Sequence, residues 1–188
     1  MKKRSGLFNL NSIGINGNVA LFSYLWRFND ESPLISKIMN IGDKAPELLG
    51  TDQNGKEVKL SDFAGHNLVL YFYPKDNTSG CTAEACSLRD NIDALAAKGY
   101  SIVGVSSDPA ASHQKFIAAH DLPFTLIADT DHRLQEAMGV WGEKSMYGRK
   151  YMGTLRTTFL IGPDGTITHI FTPKQIKTKT HADQILAV

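Results

Sequence analysis

Leu68-Val69-Leu70-Tyr71-Phe72-Tyr73-Pro74-Lys75-Asp76-Asn77-Thr78-Ser79-Gly80-Cys81-Thr82-Ala83-Glu84-Ala85-Cys86 is the stretch that decides the fold. Its first six residues form a continuous apolar run of strand length, which reads as a strand covered on both faces. Pro74 and the small polar residues after it break the strand into a loop. From there Cys81, Ala85, Leu88, Ile92 and Leu95 recur at spacings of four, three, four and three, one face of a helix ending near Gly99. A buried strand, a loop and a helix are the start of an α/β protein.

The signals on either side extend this pattern. Asn54-Gly55 is a hairpin-type turn before a short run at residues 56–60. Residues 101–106 and 124–128 read as strands, residues 110–120 as a helix, and residues 132–138 as a short helix stopped by Gly139. Residues 156–161 and 166–171 flank the turn Gly162-Pro163-Asp164-Gly165 and read as a hairpin, and a last short helix begins at His181. The sum is an α/β chain with a mixed central sheet flanked by helices and no internal repeat.

The chain has 188 residues, a length that suits one ordinary domain with a tail. Residues 39–188 carry the globular patterning. Residues 1–38 are rich in Asn, Gly and Ser and form an irregular N-terminal extension, with Met39 a candidate start of translation. The basic start Lys2-Lys3-Arg4 is followed by Asn9, Asn11, Asn16 and Asn18, which interrupt the apolar run a secretory signal needs. Residues 19–28 are apolar but far short of the roughly 20 residues of a membrane span. The net charge is +1 and no basic block marks the body of the chain, which argues against nucleic acid as a partner.

Only two cysteines occur, too few for a disulfide scaffold, and they sit five positions apart. Cys81 falls in the first helical turn, where unpaired N–H groups and the positive end of the helix dipole favour a thiolate over a thiol. Thr78 offers a hydroxyl one turn before the sulfur, able to accept from a backbone N–H or to contact a bound oxygen. Set against this, a cysteine on an apolar helical stripe is by default an inert core residue, and Thr78 a plain helix cap. The six histidines are scattered, and with no second cysteine pair a zinc site lacks convergent ligands.

Pro74, Thr78 and Cys81 match the Pro-x-x-x-Thr/Ser-x-x-Cys signature, and the chain resembles the peroxiredoxins, which have a thioredoxin-like fold. The Cys-x4-Cys pair, with residues 42–46, 124–129, 139–144 and 156–161, makes it similar to the bacterioferritin comigratory protein, or peroxiredoxin Q, branch. The likeness runs from Ile41 to Val188 and does not reach residues 1–38. It implies that Cys81 is the peroxidatic cysteine and Cys86 the resolving one. It also implies that Thr78 hydrogen-bonds the peroxide, Pro74 shields the sulfur and Arg156 is the active-site arginine. By itself an arginine at a strand start is a solvated surface residue, the default kept here for Arg133 and for Arg149 in the loop 147–151. The resemblance further implies a monomer without bound cofactor or metal, reducing hydrogen peroxide or organic hydroperoxides and recycled by thioredoxin or a similar dithiol. The cytoplasm follows as the expected location, since a recyclable thiol pair needs a reducing supply.

On a regular helix, positions i and i+5 differ by a rise of about 7.5 Å and a turn of about 140°, a Cα separation near 8.7 Å. Disulfides rarely exceed about 7 Å. A Cys81–Cys86 bond therefore requires the first turns of the helix to unwind. Glu84, one turn after Cys81, is expected to favour the helix N-terminus by its charge or to pair with a neighbouring cation. Two other functions share these residues: a redox sensor or holdase switched by the same bond, and a thiol–disulfide oxidoreductase. The second usually carries Cys-x-x-Cys, which is absent here.

Overall fold

The computed structural model describes residues 39–146 and 148–188. The extension at 1–38 lies outside the described residues, and so does its division from the body. Strands β1 (Leu48–Thr51) and β2 (Glu57–Lys59) form a hairpin closed over Asn54-Gly55, where Gly55 N–H donates to the Asp52 carbonyl at 3.1 Å. The apolar run becomes β3 (Asn67–Phe72), followed by α1 (Ser79–Asp90) and α2 (Ile92–Ala97). Then come β4 (Tyr100–Ser106), α3 (Ala110–His120), β5 (Thr125–Ala128) and α4 (Arg133–Ala137). A hairpin of β6 (Trp141–Met146) and β7 (Arg149–Thr154) precedes β8 (Thr157–Ile161), β9 (Ile167–Phe171) and α5 (His181–Leu186).

The central sheet has five strands in the order β5-β4-β3-β8-β9. β3, β4 and β5 run parallel, whereas β8 and β9 are antiparallel to their neighbours, so the sheet is mixed. β3 lies at its centre and is buried on both faces, as its continuous apolar run requires. Val69, Tyr71 and Tyr73 pack with Cys81, Leu88, Leu95, Phe116 and Ile185 on one side. Leu68, Leu70 and Phe72 pack with Leu49, Val58, Leu134 and Phe159 on the other.

Two sequence expectations are corrected. The helix from Cys81 does not run on to Gly99: it breaks at Asn91 (φ −113°, ψ 18°), whose side-chain amide donates to the Ser87 carbonyl at 2.9 Å. An Asn side chain that bonds the turn behind it competes with the helical ladder. The segment 147–151, read as a loop, contributes Arg149, Lys150 and Tyr151 to β7, paired with Met146, Ser145 and Lys144.

Candidate active site

The site lies at the C-terminal end of β3. Phe72 pairs with Thr157 across the antiparallel β3/β8 ladder, which places Arg156 just past the end of β3, where the loop into α1 begins. The chain thereby brings a cation from the residue before β8 and a sulfur from α1 to one place.

Cys81 is 1% exposed. It stands in the first turn of α1, and Nη2 of Arg156 donates to its Sγ at 3.1 Å. Charge-assisted bonds of this kind stabilise an anionic acceptor. The other arm of the guanidinium, Nη1, donates to Oε2 of Glu84, a fully buried carboxyl on the same helix. Glu84 therefore pairs with a cation, and that cation is the arginine at the sulfur. Burial pushes the Glu84 carboxyl up to about 7, against the opposing pull of Arg156. Its second oxygen, Oε1, has no hydrogen-bond partner and lies 3.8 Å from Nε2 of buried His181. That nitrogen bonds Oγ1 of Thr158 at 2.8 Å. Burial pulls His181 down to about 4; Gln184 opposes the change and Arg156 adds to it.

Two more groups border this cluster. The Tyr71 hydroxyl is buried without a hydrogen-bond partner, and burial, with the charges of Glu84 and Cys81, raises its pKa well above the usual value. The Lys144 ammonium, from β6, donates to the Thr154 carbonyl at 3.0 Å; burial and then Arg156 lower its pKa, with Cys81 acting in the other direction.

The remaining predicted residues are close in sequence but placed differently. Thr78 takes the cap position of α1, yet its exposed hydroxyl donates to the Lys75 carbonyl at 3.1 Å and caps no amide. Pro74 is half-buried at the end of β3. Cys86 is half-buried, and both it and the buried Cys81 are free thiols on one unbroken helix. Arg133 is an exposed partner of Asp131 at 2.8 Å, and Arg149 is exposed on β7. Among the described residues, no three His, Cys, Asp or Glu side chains converge as a metal site.

Sequence reasoning missed the roles of His181, Thr158 and Lys144 at this cluster. Lys144 and Thr158 left a signal only as members of the stretches 139–144 and 156–161, and His181 left none. A buried thiol held by an arginine, on a mixed sheet with the strand and helix order found here, defines a class: the chain belongs to the AhpC/TSA family, whose profile matches residues 41–170. Within it the chain is similar to the Bcp peroxiredoxins. It is 45% identical to Peroxiredoxin Bcp of Escherichia coli K12 over 148 residues, 79% of this chain and 94% of that protein. The same identity, over 79% of this chain and 93% of the other, holds for Peroxiredoxin Bcp of Bacillus subtilis 168.

Solved structures agree. A cysteine-to-serine PrxQ variant of Xylella fastidiosa superposes with a TM-score of 0.73 at 35% identity, over 80% of this chain and 95% of that one. The bacterioferritin comigratory protein of Xanthomonas campestris gives 0.69 at 36% identity, over 77% and 96%. The fold is thioredoxin-like, and the chain is an enzyme, a thiol-dependent peroxidase.

Proposed function

We propose that Cys81 is the peroxidatic nucleophile and Cys86 its resolving partner. The observation that carries this reading is the Arg156 guanidinium donating to Sγ of a buried cysteine in the first turn of a helix. The thiolate attacks one oxygen of the peroxide. The S–O bond forms as the O–O bond breaks, leaving a sulfenic acid, and the departing oxygen takes up a proton as water or alcohol. Arg156, permanently charged, holds the sulfur and donates to the oxygen on which charge builds. Thr78 turns its hydroxyl to the bound peroxide, and Pro74 screens the sulfur from water.

Cys86 then attacks the sulfenic sulfur, expelling water and forming the Cys81–Cys86 disulfide. Because α1 is continuous through both residues, its first turns unwind to allow the bond. A dithiol protein of the thioredoxin type returns the two electrons and two protons. Organic hydroperoxides are included as substrates, in keeping with the alkyl peroxide reduction activity ascribed to the Xanthomonas campestris protein. The reducing supply this cycle needs favours the cytoplasm as its location, and the likeness to the peroxiredoxin Q branch favours a monomer without a bound cofactor. Among the described residues, no helix is long and apolar enough to cross a membrane.

The test is peroxide consumption with thioredoxin and its reductase, comparing wild type with Cys81→Ser and Arg156→Ala. The reading requires many turnovers for wild type and none for Cys81→Ser. One turnover followed by binding of a client protein would instead mark a redox sensor.

A further inference from the structure

The loop between β3 and α1 is held by a second buried polar cluster that the peroxide chemistry does not use. Its centre is Asp76, 5% exposed, two residues after Pro74 and two before Thr78. Oδ1 accepts from the Tyr73 hydroxyl at 2.7 Å; Oδ2 accepts from Ser112 Oγ at 2.7 Å and meets Nδ1 of His113 at 2.9 Å. The backbone N–H of Asp76 donates to Asp108 Oδ2 at 2.9 Å. His113, on α3, is fully buried, and its Nε2 lies 3.1 Å from the Ile127 carbonyl on β5. Both ring nitrogens thus face oxygen atoms of the surrounding elements. One loop residue is tied to Tyr73 just after β3, to the β4–α3 connection, to α3 and, through His113, to β5.

Beyond Asp76 the buried restraint stops, and the bond from the Thr78 hydroxyl to the Lys75 carbonyl is exposed. Asn77 is exposed with φ 57°, a left-handed conformation uncommon outside glycine, and Thr78 and Ser79 are exposed as well. Burial alone would raise the pKa of Asp76; the bonds from His113, Ser112 and Tyr73 outweigh it and hold the carboxyl below its usual range. The cluster is therefore satisfied, and satisfied buried networks specify one geometry.

We infer that Asp76 and His113 are positioning residues for the first step: their contact anchors the loop that presents Thr78 and Cys81 to the peroxide, and makes Asn77 the point beyond which α1 unwinds. The inference rests on the peroxidase cycle proposed above. Anchoring opposes unwinding, so it favours attack on peroxide and disfavours disulfide formation. The two steps should respond to its loss in opposite directions.

The experiment measures them separately by quenched-flow alkylation and mass spectrometry after one equivalent of hydrogen peroxide, in wild type, Asp76→Asn, His113→Leu and His113→Asn. Asp76→Asn and His113→Leu should slow oxidation of Cys81 by tenfold to a hundredfold, on the order expected when reacting groups shift by about 1 Å. The later disulfide step should be unchanged or faster. His113→Asn, which keeps a donor near the Nδ1 position, should recover most of the first rate. Wild-type oxidation rates in folded Asp76→Asn and His113→Leu would overturn the inference, as would equal slowing of both steps in proportion to lost folded protein. Should wild type leave peroxide untouched, the proposed function falls, and amide exchange at residues 77–82 still decides the anchor. Faster exchange in Asp76→Asn, confined to that segment, supports it, and unchanged exchange overturns it.

Discussion

Arg156 and Cys81 meet at 3.1 Å although 75 residues separate them, and the same guanidinium also binds Glu84. One cation thus serves a sulfur and a buried carboxyl. Arg156→Met should therefore slow single-turnover oxidation of Cys81 by about 10²- to 10³-fold, the size found when a preorganised donor is removed from a developing charge. Arg156→Lys should restore only a small part, because an ammonium cannot fork between two acceptors in fixed geometry. Stopped-flow oxidation with hydrogen peroxide checks both. A methionine variant within threefold of wild type would remove the arginine from the mechanism.

Cys86→Ser should leave the first oxidation rate intact and abolish the 81–86 crosslink. Without a resolving thiol the sulfenic acid persists, and excess peroxide drives Cys81 to the sulfinic state. Intact-mass spectrometry reads each product. In the wild type, formation of the disulfide should lower the helical signal in circular dichroism and expose amides of Ser79–Asp90 to exchange, both reversed by dithiol. Undiminished multiple turnover in Cys86→Ser would dismiss the resolving role.

Gly104 lies on β4 between Tyr71 of β3 and Leu126 of β5. A Cβ there would stand 2.7 Å from Leu126 Cδ2 and from Tyr71 Cζ. Tyr71 cannot easily withdraw, since it stacks on Tyr73 with ring centroids 5.4 Å apart. Gly104→Ala should therefore destabilise the fold by about 1–3 kcal/mol, the usual range for overpacking. Urea unfolding monitored by circular dichroism measures the change, and no loss would mean that the Tyr71 ring is freer to move than its stacking implies.

The sheet and its helices were legible in the sequence because their signals are local. β3 is an unbroken apolar run, and α3 matches its predicted bounds, residues 110–120. The β6–β7 hairpin was not legible because Glu143, Lys144, Arg149 and Lys150 and three glycines give it no apolar alternation, and it pairs outside the central sheet. The break at Asn91 hides inside a helical period that Ile92 and Leu95 continue. At the site, Cys81 and Arg156 could be named because they fall in motif positions. Glu84 could be read only as a charge near the helix start or as the partner of an unnamed cation; its burial against Arg156 depends on the β3/β8 pairing. His181 and His113 gave no signal, since a histidine becomes informative only when the fold decides what faces each nitrogen.

The Glu84–His181 pair predicts a specific dependence of stability on pH. Folding raises the Glu84 pKa from 4.5 to about 7, so between those values the folded chain holds a proton that the unfolded chain has released. Stability from Glu84 is thus complete below 4.5 and is lost as pH rises to 7. Folding lowers His181 from 6.5 to about 4, so in that window the unfolded chain holds the extra proton, and stability rises with pH. The two slopes oppose each other between 4.5 and 6.5, and only the Glu84 slope remains between 6.5 and 7. In Glu84→Gln the falling slope is gone. Urea midpoints from pH 4 to 8 should then climb to the upper end of the His181 window and level off, whereas the wild-type curve turns downward. Because other titrating groups are common to both proteins, the difference curve isolates Glu84. A difference curve that is flat across 4.5 to 7 would mean that the carboxyl is ionised throughout, locked by Arg156 strongly enough to cancel its burial.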